Sequence, residues 1–160
     1  MAALKKAIFP GSFDPFTVGH ESIVTRGLDV FDHIVIAVGI NSDKHCLFNV
    51  GQRVDFIKAV FVDEPRVSVE TYDGLTVDFA RQLGCGHIIR GLRTSADFEF
   101  ERAIAQVNRQ MTGIDTVFLL TTPEHTPVNS TIVRDILRHG GDASLFIPER
   151  IRDMVKCAVH

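Results

Sequence analysis

Ala7-Ile8-Phe9-Pro10-Gly11-Ser12-Phe13-Asp14-Pro15-Phe16-Thr17-Val18-Gly19-His20 joins a short apolar run to a turn of small residues and then to a Gly-His pair. The run reads as a buried strand ending at Pro10, and the amphipathic segment Glu21 to Val30 reads as a helix opened by Gly19 and His20. A helix start presents unpaired backbone N–H groups and the positive end of a dipole, so an anion placed there is bound by the backbone itself. His20 adds a side-chain donor at the same spot. The stretch is neither a Gly-x-Gly-x-x-Gly dinucleotide loop, since Gly11 has no glycine partner at that spacing, nor a Walker loop, since no Gly-Lys pair occurs in the chain. It therefore indicates phosphate handling of another nucleotide-binding class.

Downstream, apolar runs of strand length alternate with segments of helical period. Strands are predicted over Lys6 to Phe9, His33 to Val38, Arg66 to Glu70, His87 to Ile89 and Thr116 to Leu120. Helices are predicted over Gly51 to Phe61, Leu75 to Leu83, Asp97 to Met111 and Ser130 to Arg138, with a last one from the turn at Pro148 to about Val159. Asn49 with Gln52 is a variant capping box, and Gly84 is a C-terminal cap. The alternation predicts an α/β fold: a Rossmann-like, doubly wound, five-stranded parallel sheet with helices on both faces, in a single domain spanning residues 1–160. Ligands of such sheets sit beyond the carboxyl ends of the strands, where strand order reverses.

Composition narrows the class further. A net charge of −3 and a pI near 6.1 argue against a general nucleic-acid or membrane-surface binder. Cys46, Cys85 and Cys157 are odd in number and widely spaced, so reduced thiols and a cytoplasmic location are expected. No apolar run reaches the roughly 20 residues of a membrane span, and Met1 to Lys6 is too short and charged for a signal peptide. No zinc-ligand spacing and no nucleophile elbow occur, which leaves local anion sites as the carriers of chemistry.

Three such sites follow the later strands. Lys44, in the run after the second strand, reads on its own as a solvated loop charge. Arg90 and Arg93 flank Gly91 at the end of the fourth strand and make a phosphate clamp through their guanidinium forks, or Arg93 pairs with Asp97 or Glu101. After the fifth strand, Asn129 or Ser130 caps a hydroxyl-rich helix start that is either a plain N-cap or a second anion site, with Arg134 in reach.

These segments, GSFDPFTVGH, IIRGLRTSADFEFE and VNSTIVR, resemble the phosphopantetheine adenylyltransferase family of the nucleotidyltransferase superfamily, in matching order and spacing across essentially the whole chain. The first motif is shared with other nucleotidyltransferases, and the second is more specific. The resemblance implies transfer of AMP from ATP to 4′-phosphopantetheine, giving dephospho-coenzyme A and pyrophosphate, with His20, Lys44 and Arg93 catalytic. It implies acceptor contacts from Ser12, Lys44, Thr76 and Arg90. ATP contacts are implied from Ser12, Phe13, His20, Gly91, Leu92, Arg93 and Glu101, and from the loop His125, Thr126, Pro127, Val128, Asn129, Ser130 and Thr131. Thr76, Phe100 and Asn129 depart from the bulkier apolar residue, the tyrosine and the serine that relatives often carry. The resemblance also implies Mg²⁺ held by the substrate phosphates with no protein ligand, feedback by coenzyme A, and a homohexamer. The alternatives are another nucleotidyltransferase, acting on nicotinamide mononucleotide or on glycerol phosphate, and a non-catalytic nucleotide-binding module on the same fold.

Overall fold

A computed structural model describes residues 2–40 and 45–160. The five strands, β1 (Lys6–Gly11), β2 (His33–Gly39), β3 (Val67–Tyr72), β4 (His87–Leu92) and β5 (Asp115–Leu120), form one sheet in the order β3-β2-β1-β4-β5 with every neighbouring pair parallel. The helices are α1 (Val18–Gly27), α2 (Val50–Val60), α3 (Thr76–Gln82), α4 (Ser95–Thr112), α5 (Ser130–Arg138) and α6 (Arg152–Val159), with short 3-10 turns at Ser144–Phe146 and Glu149–Ile151. The chain is thus the doubly wound α/β fold expected from its alternating pattern.

The side-chain alternation of the strands builds two cores. Ala7, Phe9, Ile34, Ile36, Val38 and Ile89 face one layer with residues of α1, α2, α5 and α6. Ile8, Val35, Ala37 and Ile88 face the other, against Val77 and Ala80 of α3, Cys85 and Ile114. Both faces of the central strands are buried, which is why they read as continuous apolar runs.

Strand order reverses between β1 and β4, and the strands part there. Their pairing covers Ala7–His87 and Ile8–Ile88, while β1 stays paired to β2 as far as Gly11 and β4 to β5 as far as Leu92. The crevice so opened lies at the carboxyl ends of the two central strands, where ligands of this fold class bind.

Several boundaries differ from the expected ones. β4 continues three residues past Ile89, through Arg90-Gly91-Leu92, because β5 supplies a hydrogen-bonding neighbour that an apolar-run criterion cannot see. α1 starts at Val18, one residue before the Gly19-His20 pair, because Thr17 caps it, and ends at Gly27 rather than Val30. Before α6, Glu149–Ile151 forms a separate 3-10 turn instead of a first helical turn at Pro148. The Asn49–Gln52 capping box at α2 is present as expected: each side chain accepts the other residue's backbone N–H, at 2.9 and 3.0 Å.

Candidate active site

Thr17 and His20 form a reciprocal cap at the start of α1. The His20 N–H donates to Thr17 Oγ1 at 3.3 Å, and the Thr17 N–H donates to His20 Nδ1 at 3.0 Å. Histidine here stands in for the glutamate or glutamine of an ordinary capping box, so the ring is held by the backbone it terminates. Because Nδ1 accepts a backbone N–H, the neutral ring carries its proton on Nε2. Phe13, Phe16 and Phe9 pack around the imidazole at centroid distances of 5.0, 5.3 and 6.2 Å. Burial among them pushes the His20 pKa down to about 3, with the nearby Arg90 and Arg93 charges adding to the effect. At neutral pH His20 is therefore an uncharged donor with a fixed tautomer.

The loop before it is shaped for close approach. Phe13 has a φ of +50°, a conformation that non-glycine residues seldom take. Its ring lies over Gly11, where a Cβ would meet it at 2.9 Å, so a side chain at residue 11 would displace the ring. Gly91 lies close under α1: a Cβ there would press on the Ile23 side chain at 3.2 Å. Its absence lets α1 settle against β4.

Two cavities meet at this crevice. One, of about 300 Å³, is lined by Ser12, Phe13, His20, Gly91, Arg93 and the 128–130 turn, among others, and the second, of about 230 Å³, by Gly11, Tyr72, Thr76, Glu101, Ile104 and neighbours. Arg90 borders both. Its Nε and Nη2 donate to the Glu101 carboxylate at 3.0 and 2.7 Å, and its Nη1 donates to the Pro10 carbonyl at 2.9 Å. Three of the five guanidinium N–H groups are thereby engaged, and among the described residues no protein group accepts the other two. Arg93 donates from its backbone and from Nε to Asp97 at 3.1 and 3.2 Å, while its side chain stays partly open to solvent.

The sequence-derived set falls into three groups. Ser12, Phe13, His20, Gly91, Arg93, Val128, Asn129 and Ser130 line the first cavity, and Thr76 and Glu101 line the second, with Arg90 between them. Glu101 thus lies with Arg90 and Thr76, and the Thr76 hydroxyl bonds the Tyr72 hydroxyl at 2.9 Å. Leu92 is buried and offers only backbone, its carbonyl accepting from the Thr121 N–H at 2.9 Å. His125, Thr126 and Pro127 form a turn over α1: His125 Nδ1 bonds the Thr122 hydroxyl at 3.0 Å, and its Cβ stands 4.0 Å from where a Gly19 Cβ would be. Thr131 is exposed in the first turn of α5, with its hydroxyl accepting from Arg134. Asn129 is the α5 cap, accepting the Ile132 N–H at 2.9 Å. Lys44 lies outside the described residues.

Sequence reasoning missed two buried charges that hold the loop. Asp14, 2% exposed, accepts the Leu47 and Phe48 N–H groups at 2.8 and 2.9 Å and so ties the first loop to the one after β2. Arg53, 0% exposed, reaches from α2 to the carbonyls of Ser12, Gly39 and Phe48. A signal was present, since Arg53 falls on the same helical stripe as Ile57 and Val60, where a cation is out of place.

A fixed neutral donor, two guanidinium groups and two helix starts around one crevice suit the binding of phosphates. Comparison with known proteins agrees with that chemistry. Residues 8–136 match the cytidylyltransferase-like family model. The chain is 53% identical over 149 residues to the phosphopantetheine adenylyltransferase of Flavobacterium johnsoniae, covering 93% of this chain and 98% of that one. It is 51% identical over 146 residues to that of Bacteroides fragilis, covering 91% and 97%. Among solved structures, a nicotinate-nucleotide adenylyltransferase, described as putative, from Vibrio parahaemolyticus superposes with a TM-score of 0.66 at 21% identity, covering 96% of this chain and 99% of that one. A bifunctional NMN adenylyltransferase/ADP ribose pyrophosphatase from Francisella tularensis reaches 0.67 at 16%, covering 91% and 45%, and both resemblances concern the fold alone. With half of its residues shared along nearly the full length of those relatives, this chain belongs to the phosphopantetheine adenylyltransferase family.

Proposed function

We propose that this chain transfers AMP from ATP to 4′-phosphopantetheine, releasing pyrophosphate and forming dephospho-coenzyme A. The observation that carries the reading is His20: a neutral ring whose Nδ1 is occupied by the Thr17 N–H, leaving Nε2–H as a donor at a crevice edged by Arg90 and Arg93. An oxygen of the acceptor phosphate attacks the α-phosphorus of ATP in line. The new P–O bond forms as the bond to the pyrophosphate oxygen breaks, with no covalent enzyme intermediate. The charge that gathers on the α-phosphate oxygens is met by His20 Nε2–H, and Arg93 and the α5 start face the departing pyrophosphate. Arg90, at the junction of the cavities, holds the acceptor phosphate by its two remaining N–H groups, while the second cavity takes the pantetheine arm beside Thr76. Alignment of two bound anions is the main contribution, since the reaction needs no protein nucleophile.

Mg²⁺ accompanies ATP in this reading, neutralising phosphate charge. Mg²⁺ prefers oxygen ligands and keeps waters, so in this reading the substrate phosphates and water hold it. Homohexamer assembly, feedback by coenzyme A and a cytoplasmic location are part of the same proposal. Assembly is favoured by α4, which leaves Phe100, Ile104, Val107 and Met111 exposed along one stripe. No described helix is long and apolar enough to cross a membrane.

The deciding assay is pyrophosphate release with phosphopantetheine, nicotinamide mononucleotide or glycerol phosphate as acceptor, each with ATP and CTP. Turnover is expected with phosphopantetheine and ATP. Turnover with nicotinamide mononucleotide and none with phosphopantetheine would refute the assignment.

A further inference from the structure

The Arg53 guanidinium lies wholly inside the protein, behind the loop that follows β1. Its Nη1 donates to the Ser12 carbonyl at 2.6 Å and to the Gly39 carbonyl at 3.2 Å, and its Nε donates to the Phe48 carbonyl at 3.1 Å. These three carbonyls belong to the ends of β1 and β2 and to the turn before α2.

The carbonyl and the N–H of a trans peptide point in opposite directions. Drawing the Ser12 oxygen toward Arg53 therefore turns the Phe13 N–H the other way, toward the cavity that Ser12, Phe13 and His20 line. Among the described residues no protein group accepts this N–H. The next carbonyl but one is held too, with Arg134 Nη1 donating to the Asp14 oxygen at 2.9 Å. Two guanidinium groups thus hold the peptide that precedes Phe13 and the one that follows Asp14, and so brace the segment in which Phe13 takes its unfavourable φ of +50°. The Phe13 ring is fixed in turn against Phe9 and His20.

We infer that Arg53 is a positioning residue for nucleotidyl transfer: by holding the Ser12 carbonyl it aims the Phe13 N–H at a phosphate oxygen in the crevice beside His20. This rests on the reading of that cavity as the nucleotide phosphate site. Lysine cannot replace it, because one ammonium does not span three diverging carbonyls as a planar fork does.

The test reads the Phe13 amide directly. Inorganic pyrophosphate is titrated into ¹⁵N-labelled protein, and the Phe13 amide resonance is followed in the wild type, in Arg53→Lys and in Arg53→Gln. In the wild type the resonance should move and saturate. In the variants the response should vanish or need at least about tenfold more pyrophosphate, and kcat/KM for ATP per folded molecule should fall at least about tenfold. A purely structural role would lower the melting temperature and leave the amide response of the folded molecules unchanged. If one variant does not fold, the other carries the test. A Phe13 amide that ignores pyrophosphate in the wild type, or follows it at wild-type concentrations in the folded variant, overturns the inference. The titration needs no acceptor, so a failed acceptor panel would refute the substrate assignment while leaving this coupling standing.

Discussion

Replacing His20 by alanine removes three things that the structure separates. The first is the Nε2 donor. Loss of a single preorganised donor to a developing oxyanion costs about 3–4 kcal/mol of transition-state stabilisation, a fall in kcat of roughly 10²–10³. The second is the acceptor for the Thr17 N–H, held at 3.0 Å, and the third is the packing of the ring among Phe9, Phe13 and Phe16. Losing a cap contact costs about 1 kcal/mol, and a lost ring contact adds a similar amount. Together these lower the melting temperature by roughly 4–8 °C for a chain of this size. Steady-state kinetics well below the transition, with ATP affinity measured separately, distinguish the effects: kcat should drop by about two to three orders of magnitude while ATP affinity changes about threefold or less. The neutral state adds a second signature. With the His20 pKa near 3, kcat from pH 5 to 8 should show no ionisation belonging to this ring, so the profiles of the wild type and of the His20→Asn variant should have the same shape. A step near pH 6.5 that disappears in His20→Asn, or an alanine variant of near-normal kcat, would refute the reasoning.

Other consequences can be measured independently. Because the His20 pKa is lowered in the folded state, the unfolded chain binds the extra proton first, and stability falls as pH drops below about 6.5, by about 1.4 kcal/mol per pH unit until pH approaches 3. Thermal melts across that range should lose this share of the slope in His20→Asn. Asp14→Ala leaves the Leu47 and Phe48 N–H groups without their acceptor and should cost about 3 kcal/mol in urea unfolding, whereas a loss under about 1 kcal/mol would contradict the tie described. Arg90→Met should raise KM for the acceptor roughly 10- to 100-fold, the equivalent of about 1.5–3 kcal/mol for a charged hydrogen bond, and affect KM for ATP less. The reverse pattern would move Arg90 to the nucleotide side.

The fold was legible because buried parallel strands are short apolar runs, and helices between them announce themselves by caps such as Asn49–Gln52 and Gly84. The extension of β4 through Arg90 was not, since a cation ends an apolar run while a neighbouring strand decides whether pairing goes on. Arg90 and Arg93 illustrate the same divide. Their types and spacing marked an anion site and left Arg93 open to pairing with Asp97 or Glu101; in the structure Arg93 pairs with Asp97, and Glu101 pairs with Arg90.

The sequence by itself determined the element order, the α/β class and the family. Those properties depend on local periodicity, turn residues and motif spacing, all of which are written along the chain. Tertiary structure alone decided the tautomer of His20, the meeting of two cavities at Arg90, and the grip of Arg53 on the Ser12 carbonyl, 41 residues away in sequence. Such contacts depend on which backbone carbonyls and N–H groups face each other when distant strands part, and no local pattern encodes that.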